Sequence, residues 1–189
     1  MSGEKLPPGQ REIPRLVIYA EFGIPEIDLK TYRLVVEGLV RNRISLSYNE
    51  LRDMIDMEYT EDFHCVAGWS VRNIKWRGVS MKRIFEISKP LETASYVYLT
   101  SLDGYSTIVD IETARDDRSL LVLDMNEKPL SIEHGFPVRF FSPKLYGWKS
   151  AKWLHKIIFI NKYIDGYWET RGYHKRGCVW SEERFKSLI

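Results

Sequence analysis

Eight short stretches of β-forming residues constrain this 189-residue chain most, because they come in neighbouring runs rather than alternating with long amphipathic segments. They cover residues 31–37, 44–46, 59–65, 96–102, 105–109, 120–125, 138–141 and 153–160. Asp103-Gly104 between the fourth and fifth is a strong hairpin signal. Helical signals are few. Ser47 and Glu50 form a capping box ahead of Leu51, Met54 and Ile55, which predicts a helix over 48–57. Met81, Ile84 and Phe85 share one face of a second helix that ends before Pro90. The pattern predicts an α+β fold, mostly β, with a mixed or antiparallel sheet system and a few short helices.

The length suits one domain. Residues 1–15 are polar and proline-bearing and read as an extended N-terminal arm. Leu16 to Ala20 is a short apolar run that Gly23 and Pro25 break, so 20–28 reads as a loop. Residues 16–160 form the body. Residues 161–189 carry Tyr163, Tyr167, Trp168, Tyr173, Trp180 and Phe185 among charges, too many rings for a free tail, and are expected to pack on the same domain. Twenty-eight Lys+Arg against 26 Asp+Glu give a formal charge of +2, which does not argue for nucleic acid. No run approaches the roughly 20 apolar residues of a membrane span. Residues 1–15 hold no apolar export core, so a cytoplasmic protein is expected. Two cysteines, Cys65 and Cys178, cannot build a disulfide framework.

Three segments carry candidate chemistry. Cys65 ends a strand and runs into Val66-Ala67-Gly68-Trp69-Ser70, which can present a thiol to a ligand. Alone, it reads more readily as a buried structural thiol, and His64, its strand neighbour, points to the opposite face. Zinc is disfavoured, because there is no Cys-x-x-Cys and no pair of histidines at i, i+4. In His134-Gly135-Phe136-Pro137-Val138-Arg139, an imidazole and a guanidinium fork could converge on a phosphate. A surface histidine with an ion-paired arginine fits the same residues equally well. In Tyr146-Gly147-Trp148-Lys149-Ser150-Ala151-Lys152-Trp153, backbone N–H groups and two lysines could form an anion-binding concavity, although solvated lysines on a connection are the plainer reading. The basic, aromatic stretch 171–177 is flanked by Glu169, Glu182 and Glu183, and packing explains it better than nucleic-acid binding. Cys178 is read as structural.

A presented thiol with two anion-binding clusters suits a ligand that has a thiolate-seeking metal at one end and a phosphate at the other, as molybdopterin has. Phe63-His64-Cys65-Val66-Ala67-Gly68-Trp69-Ser70 resembles the molybdenum-ligating segment of the sulfite oxidase-like molybdopterin oxidoreductases. Glu133-His134-Gly135-Phe136-Pro137-Val138-Arg139 resembles their cofactor-phosphate segment, and Lys149-Ser150-Ala151-Lys152-Trp153-Leu154 the lysine-tryptophan segment that follows. Leu6-Pro7-Pro8-Gly9-Gln10 and the stretch from Gly166 to His174 resemble the compact single-domain subfamily.

The resemblance implies a molybdopterin-binding domain of the sulfite oxidase type and an oxidoreductase that moves an oxygen atom to or from a small-molecule substrate such as a sulfoxide, an N-oxide or sulfite. It implies that Cys65 ligates Mo, that Tyr105 stands near the metal pocket, and that Tyr19, Ala20, Glu21, His64, Thr100, His134, Arg139, Gly147, Trp148 and Lys149 contact the cofactor. Departures bear on the substrate. Sulfite oxidases follow the cysteine with Ala-Gly-Asn-Arg-Arg, and those arginines have no counterpart after Cys65. No haem motif and no second redox centre are encoded, so a separate electron-transfer partner is implied. The alternative reading is a cofactor-binding carrier without turnover.

Overall fold

A computed structural model describes residues 5–186. Eleven strands and three short α-helices follow one another as β1 (Arg11–Glu12), β2 (Leu34–Gly38), β3 (Ile44–Leu46), α1 (Tyr48–Asp53), β4 (Met57–Cys65), β5 (Trp69–Ser80), α2 (Met81–Ser88), β6 (Tyr96–Ser101), β7 (Ser106–Asp110), α3 (Ile111–Arg115), β8 (Leu120–Met125), β9 (Lys128–Pro129), β10 (Arg139–Phe141) and β11 (Leu154–Ile160). The fold is α+β and mostly sheet, as the clustered strand runs require.

Two mixed sheets form. The first runs β1-β5-β8-β10, with β4 antiparallel to β5 and β9 on β8. The second runs β3-β2-β11-β6-β7, in which β11 lies parallel to β2 and antiparallel to β6. Strands β6 and β7 form the hairpin that Asp103-Gly104 predicts, with Gly104 at φ 92°. Val36, Leu99, Ile157 and Phe159 of the second sheet meet Val79, Leu121 and Phe140 of the first in one buried cluster, which Ile84 and Phe85 of α2 join. A second cluster, built on Trp76, Phe63, Val122 and Phe141, stacks Trp76 on Phe141 with centroids 4.3 Å apart.

The longest strand, β5, has no counterpart among the eight predicted stretches. Arg72, Asn73, Lys75 and Arg77 mask its apolar alternation. Asn73 adds an irregularity at φ 56°, close to the register shift between Glu61 and Phe63 of β4. Gly78 looks like a strand breaker, yet it permits β8 to approach. A Cβ there would lie 1.9 Å from the Leu121 carbonyl oxygen. Helix α1 stops at Asp53, short of the predicted 57, because Met57 already pairs with Gly78 in the β4–β5 ladder.

The described residues after β11 form no strand of either sheet, but they lie on the body. Leu145 bridges to Cys178, and Tyr146, Trp148 and Val179 make a third buried cluster against which Trp168 and Tyr173 pack. At the other end, β1 pairs parallel to the start of β5, Arg11 with Trp69 and Glu12 with Ser70. No helix among the described residues is long and apolar enough to cross a membrane.

Candidate functional site

The end of β4, the turn before β10, a 3-10 turn at Gly147–Lys149 and the segment after it converge on a cavity of about 440 Å³. Phe63, Cys65, Trp69, Tyr105, His134, Arg139, Gly147, Trp148 and Lys152 line it. Tyr19, Ala20 and Glu21 reach it from the irregular segment after β1, and Trp168 and Tyr173 from the chain after β11. Five stretches far apart in sequence therefore line one cavity. The Phe63 ring packs against Gly147, where a Cβ would stand 2.3 Å from Phe63 Cζ.

Cys65 is the last residue of β4, half-buried, with its side chain toward the cavity. Burial raises its thiol pKa, while an Ala67 backbone contact and the Arg184 charge oppose that rise. His64, one residue earlier, faces away from the cavity. It is buried, and its Nδ1 meets Ser70 Oγ at 2.7 Å.

Arg139 dominates the charge of the site. It is 6% exposed, and its Nε donates to Ser150 Oγ at 2.7 Å. Its guanidinium lies 4.9 Å from the Phe63 ring centroid. No carboxylate pairs with it among the described residues. Burial alone lowers its pKa to about 10. A buried cation without a counter-ion is costly, and an anionic ligand removes that cost.

Lys152 adds a second positive charge. Its Nζ donates to the Tyr19 carbonyl and, at 3.0 Å, to the Glu133 carbonyl. Burial first, then repulsion from Arg139, lowers its pKa to about 8. His134 is half-buried, and burial followed by Arg139 and Lys152 lowers its pKa too, which favours the neutral imidazole. Tyr105 donates its hydroxyl to the Trp148 carbonyl, and burial keeps the phenol protonated. Glu21 accepts from the Tyr19 and Tyr167 hydroxyls, the latter at 2.5 Å, which ties the rim segment to the chain after β11.

Cys65, Tyr105, Tyr19, Ala20, Glu21, His134, Arg139, Gly147 and Trp148 are thus brought together, whereas His64, Thr100 and Lys149 are not among the lining residues. Thr100 lies in β6 between β7 and β11, with Oγ1 3.3 Å from His155 Nε2. Lys149 is fully buried behind the wall. Its Nζ reaches Glu169 Oε1 at 2.5 Å and the carbonyls of Ile108 and Lys175 at 2.6 Å each. All three ammonium protons are taken up inside the protein, so Lys152 is the lysine of this segment at the cavity. Trp69, Ser150, Trp153 and Tyr173 also line it; nothing in their local sequence distinguishes them from core residues.

Residues fit for a molybdenum–pterin ligand are therefore present: a thiol in the cavity, an uncompensated buried guanidinium, a second ammonium, and aromatic walls. Several known proteins are similar to the chain. The uncharacterized oxidoreductase YuiH of Bacillus subtilis is 37% identical over 96% of this chain and 92% of its own length. The putative protein-methionine-sulfoxide reductase subunit YedZ1 of Azospira oryzae is 30% identical over 87% of this chain, which spans 62% of that protein. Human mitochondrial sulfite oxidase is 26% identical over 79% of this chain, which spans 33% of it. The structure of the sulfane dehydrogenase SoxCD from Paracoccus pantotrophus shares the fold, with a TM-score of 0.67 at 20% identity over 74% of this chain and 41% of that one. Residues 21–168 match the oxidoreductase molybdopterin binding domain, and the chain belongs to that family.

Proposed function

We propose that the protein is a molybdopterin-dependent oxidoreductase in which Cys65 supplies the thiolate ligand to Mo, and Arg139 with Lys152 holds the phosphate end of the pterin. One observation carries this reading: Cys65 and the uncompensated guanidinium of Arg139 open into the same cavity. When bound, the cofactor supplies two-electron redox chemistry and with it transfer of an oxygen atom to or from a substrate. The chain's own residues bind and orient it. Arg139 offers guanidinium donors to phosphate, Lys152 a compact ammonium, and the 3-10 turn at Gly147 close backbone approach. Tyr19, Ala20 and Glu21 close the pterin side. Tyr105 stays protonated and fixed on the Trp148 carbonyl, a neutral wall of the metal pocket.

Cys65 is flanked in the wall by Val66, Ala67 and Trp69, and no arginine follows it before Arg72. A wall of Val66, Ala67 and Trp69 next to the thiol, in place of the paired arginines, favours a neutral sulfoxide or N-oxide over a sulfite dianion. Electrons then pass to or from a separate partner protein. The test is metal analysis and mass spectrometry of released pterin after expression with cofactor biosynthesis, followed by dye-linked assays on sulfoxides, N-oxides and sulfite. Stoichiometric Mo in the wild type and its loss in Cys65→Ser are expected. A fully loaded Cys65→Ser protein overturns the assignment of the ligand.

A further inference from the structure

The three residues after Cys65 form the turn between β4 and β5, closed by Gly68 N to the Cys65 carbonyl at 3.0 Å, and side chains from two distant segments grip it. From residues 7–13, Gln10 Nε2 donates to the Cys65 carbonyl at 3.0 Å, and Gln10 Oε1 accepts from Ser70 Oγ at 3.0 Å. The Ser70 hydroxyl proton is thereby committed to Gln10, so the 2.7 Å contact with His64 Nδ1 must be donated by the imidazole. His64, Ser70 and Gln10 form a chain of bonds that ends on the backbone of Cys65. The main chain reinforces it: Arg11 N donates to the Gly68 carbonyl at 3.0 Å and Ile13 N to the Ser70 carbonyl at 2.8 Å.

From the other side, Arg184 Nη1 donates to the Val66 carbonyl, and Nη2 to the Pro8 carbonyl at 3.2 Å. Its guanidinium lies 5.0 Å from the Tyr146 ring centroid. The same segment pairs with Tyr173 of the cavity wall, through the Tyr173–Phe185 bridge and His174 N to the Arg184 carbonyl at 3.1 Å. The contact leaves no slack. A Cβ on Gly68 would lie 3.0 Å from the Gly9 carbonyl oxygen, and one on Gly9 would lie 2.7 Å from Arg184 Nη2.

We infer that Gln10 and Arg184 are positioning residues that clamp the Cys65–Val66 backbone and thereby set the direction of the Cys65 sulfur. The inference rests on the reading of Cys65 as the metal ligand. Neither residue lines the cavity; each bonds to the backbone beside the ligand, as outer partners of metal ligands do. Gln10 completes the site from a segment that the family match, residues 21–168, does not include.

The test uses the full chain with Gln10→Leu, a neutral change of similar size that removes both side-chain bonds. In cofactor-free protein, site-resolved alkylation with iodoacetamide reads the freedom of Cys65, and Cys178 in the same molecule reads global opening. Several-fold faster labelling of Cys65 with unchanged labelling of Cys178 is expected. In loaded protein, a shifted Mo(V) electron paramagnetic resonance spectrum and roughly tenfold or greater loss of Mo on dialysis are expected. Unchanged Cys65 labelling and an unchanged Mo(V) spectrum in folded Gln10→Leu protein overturn the clamp. If Gln10→Leu does not fold, Arg184→Leu is measured in the same ways, and unchanged labelling with an unchanged spectrum there overturns the clamp equally. Retention of Mo by Cys65→Ser, measured alongside, refutes the ligand assignment instead.

Discussion

Arg139→Met removes the charge from the cavity wall while keeping an unbranched stem against Phe63. In the cofactor-free protein, burial lowers the guanidinium from 12.5 to about 10. At about 1.4 kcal/mol per pKa unit, the buried charge costs the fold roughly 3 kcal/mol. Against that stand the Nε bond to Ser150 Oγ at 2.7 Å and the Nη1 bond to the His134 carbonyl at 3.3 Å, together worth about 1–2 kcal/mol net. Ser150 still donates to the Phe140 carbonyl after the change. The cofactor-free variant is therefore expected to be more stable than the wild type by roughly 1–2 kcal/mol, read as a shift in urea midpoint at constant m-value. The loaded protein behaves in the opposite way. Losing a charged donor to phosphate costs about 1.5–3 kcal/mol, a weakening of about tenfold to over a hundredfold in cofactor retention. A variant that is destabilised by about 2 kcal/mol or more without cofactor, or that holds the pterin as tightly as the wild type, refutes the assignment of Arg139 as an anion receptor kept unpaired for its ligand.

Lys149→Met is expected to do the reverse. It leaves the Glu169 carboxylate buried without its cation and destabilises the cofactor-free protein by about 3–5 kcal/mol, which Lys149→Met with Glu169→Leu largely restores in urea unfolding. An undiminished midpoint in the single variant would return Lys149 to the cofactor. Lys152 predicts a pH effect. Its pKa is about 8 in the fold and about 10.4 unfolded, so above pH 8 the unfolded chain binds more protons and stability rises with pH. Lys152→Met is expected to flatten the rise between about pH 8 and 10, and a rise of equal size in the variant excludes Lys152 as its source. Gly147→Ala forces a Cβ into Phe63, 2.3 Å from Cζ. Overpacking of about 1–3 kcal/mol and a changed near-ultraviolet circular dichroism signal from the Phe63–Trp69–Trp76 cluster are expected; an unaltered spectrum counts against the tight contact.

What the sequence discloses and what it hides divide along range of interaction. The β6–β7 hairpin, β8, β11 and the caps of α1 are local: Asp103-Gly104, an apolar run and Ser47 with Glu50 suffice to specify them. Strand β5 is hidden because its polar residues and Gly78 satisfy partners on β4 and β8 rather than a local pattern. At the site, Cys65, His134 and Arg139 are legible as segments. Lys149 is not, because its carboxylate partner comes 20 residues later, from the chain that returns after β11. Two lysines three positions apart at a turn look alike until that partner is placed. Gln10 and Arg184 are hidden for the same reason, since their partners on the backbone of Cys65 and Val66 are 55 and 118 residues away.

The contrast between the two buried cations says more than either alone. The fold surrounds Lys149 with three acceptors at 2.5–2.6 Å, Glu169 among them. Arg139, also buried, pairs with no carboxylate of the described residues, although Asp103 and Glu133 line the same cavity. Both acids act on the Lys152 charge, so anions reach the cavity without reaching the guanidinium. A shortage of acidic residues therefore does not explain the missing partner. A structural arginine in that position gains by an ion pair, and a buried guanidinium left with neutral acceptors suits a counter-charge supplied from outside the chain. If Arg139 holds the cofactor as proposed, the stability lost there in the cofactor-free fold is recovered on binding, and cofactor affinity and fold stability are coupled through one side chain.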